Sequence, residues 1–287
     1  MRLPIGLAVI LAAVFAVATG HAETCGGPDT PCAVPLGTYH VSLPDTPPGP
    51  DGYPVVVYYH GAGGSGARIF INTAMTQTLN ERGYAVIGPN GLKRPNSRFG
   101  TSWSFRPQGP KQRDEMAFTR EFLDDAVPRF HLDRNKVILS GFSIGGSLVW
   151  YLACQDPTIA TAYAPVSGGF WRPMPTECAG PVRLLHTHGW RDQTVPLEGR
   201  PLRNGQIYQG DIFQGFQVWR TVNGCDRLMA DSFVTEGPYW RRIYTSCAPG
   251  TALEFALHSS DHIPPGEDWA KMVANWFETL DRPGPGQ

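Results

Sequence analysis

The stretch KVILSGFSIGGSLVWYLAC, residues 136–154, decides how the chain is read. Val137-Ile138-Leu139 is a short apolar run of strand type, and Ile144 to Cys154 reads as a helix. Between them, Gly141-Phe142-Ser143-Ile144-Gly145-Gly146 must turn the chain sharply. A Gly-x-Ser-x-Gly turn from strand to helix holds the serine hydroxyl exposed at the positive end of a helix dipole. Side chains larger than glycine two positions away would clash with so tight a turn. The alternative is a helix N-cap serine with no chemistry. The motif alone does not separate these readings, because Gly and Ser are common in loops.

Working outward, strands alternate with helices. Val55 to Tyr59 is a continuous β-branched and aromatic run, as in a strand covered on both faces. A glycine-rich turn, His60 to Gly66, leads to a helix over Arg68–Arg82, ended by Gly83. Further strands are expected at Thr38–Leu43, Tyr84–Gly88, Ala162–Val166, Arg183–His188 and Glu254–Leu257. Further helices are expected at Asp114–Arg129 and Phe213–Thr221, with residues 89–113 a long loop between strand and helix. Trp269, Met272, Val273, Trp276, Phe277 and Leu280 form the apolar stripe of a last helix. This alternation predicts an α/β chain with a mostly parallel central sheet and helices on both faces. No internal repeat or linker divides it, so residues 23–282 are read as one domain and 283–287 as a tail.

The 287 residues are 41% hydrophobic and carry a net charge of −1. That supports a substantial core and gives no electrostatic footprint for nucleic acid. Arg2, the apolar run Ile5–Ala18 and the small residues around Ala22 read as a secretory signal peptide, residues 1–22. A transmembrane anchor is the alternative, but the run is short for a bilayer. The expected location is secreted or periplasmic, with no stable membrane association after cleavage. Six cysteines follow, and an even number in an exported chain favours disulfides. The sequence-local pairing is Cys25–Cys32, Cys154–Cys178 and Cys225–Cys247. A metal site is disfavoured because no Cys-x-x-Cys pair exists and no cysteine stands near clustered histidines.

Ligands in open α/β sheets bind at the carboxyl ends of strands. A serine nucleophile needs a base there, and the base needs an orienting carboxylate. Of eight histidines, His262 sits in the loop HSSDHIPPG after the last strand and is favoured over His258. His186 and His188 alternate on one strand, where burial is the default for at least one. Asp192 follows a strand end in HGWRDQTVP and is favoured over Glu177, Asp211 and Asp261. The resulting order is Ser143, Asp192, His262.

The stretches YYHGAGGSG, LDRNKVILSGFSIGGSLVWYLAC, HGWRDQTVP, NGC and SSDHIPPG, in this order, resemble a known family. It is the secreted α/β-hydrolase esterases of carbohydrate esterase family 1 type, which include polyhydroxybutyrate depolymerases and feruloyl esterases. The resemblance covers most of residues 38–280. It implies an α/β-hydrolase fold, nucleophile Ser143, acid Asp192 and base His262, without cofactor or metal. It also implies bridges Cys154–Cys178 and Cys225–Cys247. Its His-Gly-x turn implies an oxyanion hole from the backbone N–H groups of Ala62 and Ile144, with Gly63 an alternative to Ala62. One departure is Ser260-Asp261-His262, where members often have Gly-Gly-His.

The implied activity is ester hydrolysis through an acyl-enzyme, on a small-molecule or polymeric hydroxyalkanoate or a feruloyl or aryl ester. Alternatives are an acetyl-xylan or other small-acyl esterase, a peptidase on the same fold, and a non-catalytic binding protein. No appended binding module is evident, which weighs against an insoluble polyester. Trp103, Trp171 and Trp190, in loops near the expected active face, either stack on substrate or pack the loops down. Trp103 and Trp190 are the named substrate candidates.

Overall fold

A computed structural model describes residues 25–93 and 100–280; the expected signal peptide and tail lie outside these residues. In chain order the elements begin with β1 (Cys32–Val34), β2 (Gly37–Ser42), β3 (Tyr53–Tyr59), α1 (Arg68–Ile71) and α2 (Thr73–Glu81). Next come β4 (Ala85–Pro89), β5 (Leu92–Lys93), β6 (Thr101–Ser102), α3 (Glu115–Phe130), β7 (Leu132–Phe142) and α4 (Ile144–Gln155). Then follow β8 (Ala162–Val166), β9 (Trp171–Arg172), β10 (Arg183–Gly189), β11 (Pro201–Leu202), β12 (Ile207–Gln209) and α5 (Ile212–Val222). The last are β13 (Ser232–Glu236), β14 (Tyr239–Tyr244), β15 (Ala252–His258) and α6 (Gly266–Leu280).

Ten strands form one sheet in the order β1-β2-β4-β3-β7-β8-β10-β15-β14-β13. The six from β4 to β15 run parallel, and antiparallel pairs close both margins. The parallel strands are buried on both faces, which is why they read as unbroken apolar runs. One face packs on Phe118, Phe122, Leu148, Trp150, Phe216 and Trp219 from α3, α4 and α5. The other packs on Met75 and Leu79 of α2 and the Trp269–Phe277 stripe of α6. Among the described residues no helix is long and apolar enough to cross a membrane.

The three disulfides pair as their sequence proximity implied. The Cys154–Cys178 bridge ties the end of α4 to the loop before β10, and Cys225–Cys247 joins the exit of α5 to the loop before β15.

The single helix expected over residues 68–82 is two. Asn72 breaks it, with ψ 54° and its N–H closing on Arg68 O, and Thr76 Oγ1 donates to Ile69 O. Asn and Thr hydrogen-bond local backbone readily and so favour such breaks. The long loop over 89–113 also contains the short β5–β6 ribbon. The β13–β14 hairpin was not anticipated. Its Phe233, Val234 and Trp240 are exposed, so no clean inside-outside alternation marks it.

A buried ion pair fixes that loop to α3. The Arg113 guanidinium donates twice to Glu115 Oε2, and also to the carbonyls of Leu36 and Asn90. Glu115 Oε1 accepts the Ser104 N–H. Both side chains are nearly inaccessible. Burial raises the Glu115 carboxyl against the opposing pull of Arg113. Arg113→Met should cost about 3 kcal/mol, because it leaves a buried carboxyl without its cation. Chemical denaturation of Arg113→Met beside Arg113→Met/Glu115→Leu checks this, and the double variant should regain most of the loss.

Candidate active site

The nucleophile candidate stands where β7 becomes α4. Ser143 has φ 59° and ψ −119°, a backbone open to glycine and strained for other residues. Its N–H donates to Val166 O on β8, which pins the turn to the neighbouring strand. Its side chain makes no capping hydrogen bond to α4. The glycines after it allow α4 to start against the sheet. A Cβ at Gly145 would lie 2.1 Å from Tyr59 O, and one at Gly146 2.4 Å from Val166 O.

Asp192 lies just past the end of β10, and His262 in the loop after β15, the adjacent strand. His262 Nδ1 is 2.7 Å from Asp192 Oδ2. Asp192 Oδ1 accepts the N–H groups of Thr194 and Val195 at 2.9 and 2.8 Å. The second oxygen also faces His188 Nε2 at 3.2 Å. Burial alone would raise this carboxyl, but the hydrogen bonds from His188, His262 and the Val195 N–H outweigh it and hold it well below the usual carboxylate range. The His262 ring rests on Phe142, centroids 4.6 Å apart, next in sequence to Ser143. Its carbonyl accepts the Ser167 hydroxyl at 2.7 Å. Asp261 turns to the acid loop instead, where Oδ1 accepts the Gln193 N–H at 3.0 Å. No hydrogen bond joins Ser143 to His262 in this arrangement.

The turn after β3 flanks the same point. A Cβ at Gly61 would come within 3.4 Å of Ser143 Cβ, so Ala62 follows directly beside the elbow. The N–H of Gly63 is taken by Thr101 O at 2.9 Å. Those of Ala62 and Ile144 have no acceptor among the described residues. His60 fixes this turn: its Nδ1–H donates to Gly61 O, and its Nε2 accepts the Gly91 N–H. Sequence reasoning gave His60 no role, because Gly91 is far off in the chain.

Of the tryptophans, Trp103 is corrected. It is fully buried, its ring lies against Tyr59 and His60, and its Nε1–H donates to His60 O, so it braces the turn from below. Trp171 is partly buried and donates to Ser147 Oγ at 3.3 Å. Trp190 is 57% exposed, directly after β10. A surface cleft lies elsewhere, between the end of β2 and α2, lined by Leu43, Phe70, Gln77 and Asn80 among others, with no histidine among its lining residues.

Burial holds His60 down at about 4 and His258 likewise. Both ring nitrogens of His258 lack a hydrogen-bond partner among the described residues. The unfolded chain binds both protons near pH 6.5, which the folded chain refuses until about pH 4. Unfolding therefore takes up protons in this window, and stability falls as pH drops, by about 1.4 kcal/mol per pH unit for each proton. Thermal melts should show Tm dropping steadily from pH 7 to pH 4.5, and His258→Met should flatten the slope. A Tm constant across the window contradicts this.

A family model described as "alpha/beta hydrolase fold" matches residues 54–209, more than half of the chain. The chain is 26% identical over 200 residues to feruloyl esterase B of Piromyces equi, covering 64% of this chain and 35% of that protein. It is 26% identical over 178 residues to feruloyl esterase D of Neurospora crassa, covering 59% of this chain and 56% of that one. The match thus spans from about a third to just over half of these curated relatives. An acetyl xylan esterase structure from Aspergillus awamori superposes with TM-score 0.62 at 15% identity, over 84% of this chain and 93% of that one. A Bacillus cereus carboxylesterase gives TM-score 0.55 at 14% identity, over 86% and 95%. At these identities the structural likeness concerns the fold.

Proposed function

The chain belongs to the α/β-hydrolase fold family, and from that membership we propose that it is an exported carboxylic-ester hydrolase working through an acyl-enzyme at Ser143. The observation that carries this reading is the strained serine elbow beside a hydrogen-bonded pair of partly exposed His262 and buried Asp192. In the reaction, His262 Nε2 closes on Ser143 Oγ as substrate binds, since such bonds often tighten only in the complex. Oγ attacks the ester carbon as its proton passes to Nε2. Asp192 holds the ring with Nδ1–H toward itself and stabilises the imidazolium. The oxyanion is received by the Ala62 and Ile144 N–H groups, which have no acceptor among the described residues. His262 then protonates the leaving alcohol, and water, deprotonated by the same nitrogen, releases the acid and restores the serine.

The feruloyl esterases named above favour a feruloyl or similar aryl ester, and likeness to a bifunctional acetylxylan esterase/xylanase of Neocallimastix patriciarum (27% identical over 125 residues, 43% of this chain and 17% of that protein) favours an acetyl ester of xylan. Exposed Trp190 would supply a stacking surface for the aryl or sugar part. Three disulfides support export to an oxidising compartment. The test is hydrolysis of methyl ferulate, an acetylated xylo-oligosaccharide, a hydroxybutyrate oligomer and a peptide panel by the purified protein. Turnover of an aryl or acetyl ester is the expected result. Turnover of the hydroxybutyrate oligomer alone would move the substrate to hydroxyalkanoates, and turnover of peptides alone would overturn the esterase reading.

A further inference from the structure

Behind Asp192 lies a line of buried side chains that the proposed reaction does not use. Trp150 on α4 donates its Nε1–H to His186 Nδ1 at 3.3 Å. His186 Nε2 is 3.0 Å from His188 Nδ1, two residues on and on the same face of β10. His188 Nε2 is 2.8 Å from Val195 O and 3.2 Å from Asp192 Oδ2. Trp150, His186 and His188 are all fully buried.

Both ends of this line fix its direction. The indole is a donor only, so His186 Nδ1 must accept, and its hydrogen sits on Nε2. That hydrogen points at His188 Nδ1, which must therefore accept in turn. At the far end, His188 Nε2 faces two acceptors, a carbonyl and a carboxylate, and must carry a hydrogen. The reverse order would set two hydrogens face to face at Trp150 and a bare nitrogen against Asp192. Burial holds His186 well below the ordinary imidazole range, which keeps the ring neutral. The other ionisable groups facing the line are His258 from β15 and His262 from the loop beyond it.

We propose that Trp150, His186 and His188 form a one-way hydrogen-bond chain that positions Asp192. The chain sets a fixed N–H between Val195 O at 2.8 Å and Oδ2 at 3.2 Å, the same oxygen that receives His262 Nδ1–H. Together with the Thr194 and Val195 N–H groups, it saturates the carboxylate and locks its plane. The consequence for catalysis rests on the reading of Asp192 and His262 given above; the hydrogen order itself does not. His188 is thus a positioning residue, acting through Asp192.

The first measurement needs no substrate. Nitrogen-15 spectra of histidine-labelled full-length protein at pH 7, assigned with His186→Gln and His188→Gln, should show both rings neutral with hydrogen on Nε2. Hydrogen on Nδ1 of either ring overturns the proposal; the Pro165 carbonyl, which also faces the His186 ring, is the competing acceptor. Trp150→Phe removes the fixed donor, and a second tautomer should then appear. A spectrum unchanged by Trp150→Phe overturns the fixed direction. For the active protein, His188→Met should lower kcat about 10- to 100-fold with KM nearly unchanged, given the worth of a hydrogen bond to a charged group. His188→Gln, which keeps an N–H near Nε2, should recover most of that. Equal kcat for the Met and Gln variants overturns the positioning role. If the Met variant does not fold, the wild-type and Trp150→Phe spectra decide.

Discussion

Ser143→Ala is expected to lower kcat by about 10⁶-fold and to leave the fold intact. The loss is large because removal of the nucleophile leaves only oxyanion stabilisation and binding. The fold survives because the Ser143 hydroxyl caps nothing: α4 starts without a side-chain hydrogen bond from it. A serine kept at this position for structure alone would cap the helix, and its loss would cost about 1 kcal/mol. The strain gives a second, opposite readout. At φ 59° and ψ −119°, any residue with a Cβ is held against its preference. Ser143→Gly should therefore be as inactive as Ser143→Ala and yet more stable, by about 1 kcal/mol. Activity assays and thermal melts of the two variants check both halves. An equally stable but still active Ser143→Ala protein would contradict them.

Asp192→Asn should lower kcat by about 10⁴-fold, the scale of losing the correct tautomer of the base. The hydrogen-bond pattern shows why an isosteric change is so damaging. Oδ1 accepts two backbone N–H groups, from Thr194 and Val195, so that position must remain an oxygen. The amide nitrogen is forced into the place of Oδ2. There it points its hydrogens at His262 Nδ1 and at the His188 N–H. His262 must then carry its hydrogen on Nε2, toward Ser143, where it has no base to offer. The variant also sets two donors face to face at His188, so its Tm should fall as well. Steady-state kinetics with calorimetry measure both effects. A kcat within tenfold of the parent would show that Asp192 does not orient the base.

The triad candidates were legible because each stands at a strand end, where sequence pattern and the geometry of parallel sheets meet. Ser143 followed a short apolar run, and Asp192 and His262 followed two more. The disulfides were legible because each closes a short stretch of chain. Trp103 was not legible: its burial depends on the loop over residues 100–113 folding under the turn after β3. A physical reason to prefer Ala62, which the resemblance already named ahead of Gly63, was hidden, because Thr101 O takes the Gly63 N–H from that same loop. His186 and His188 could be placed on one face of a strand by their spacing. Their role could not, since the donor that orders them, Trp150, comes from a helix 36 residues away. The β13–β14 hairpin escaped because exposed Phe233, Val234 and Trp240 blur the period of two that marks a half-buried strand.

The most direct test of Ser143 as nucleophile is covalent labelling with a fluorophosphonate, read by intact mass and peptide mapping. The expected result is one adduct per chain, on the peptide that contains Ser143, absent from Ser143→Ala. A folded protein that takes no label, or takes it on a serine other than Ser143, would contradict the assignment.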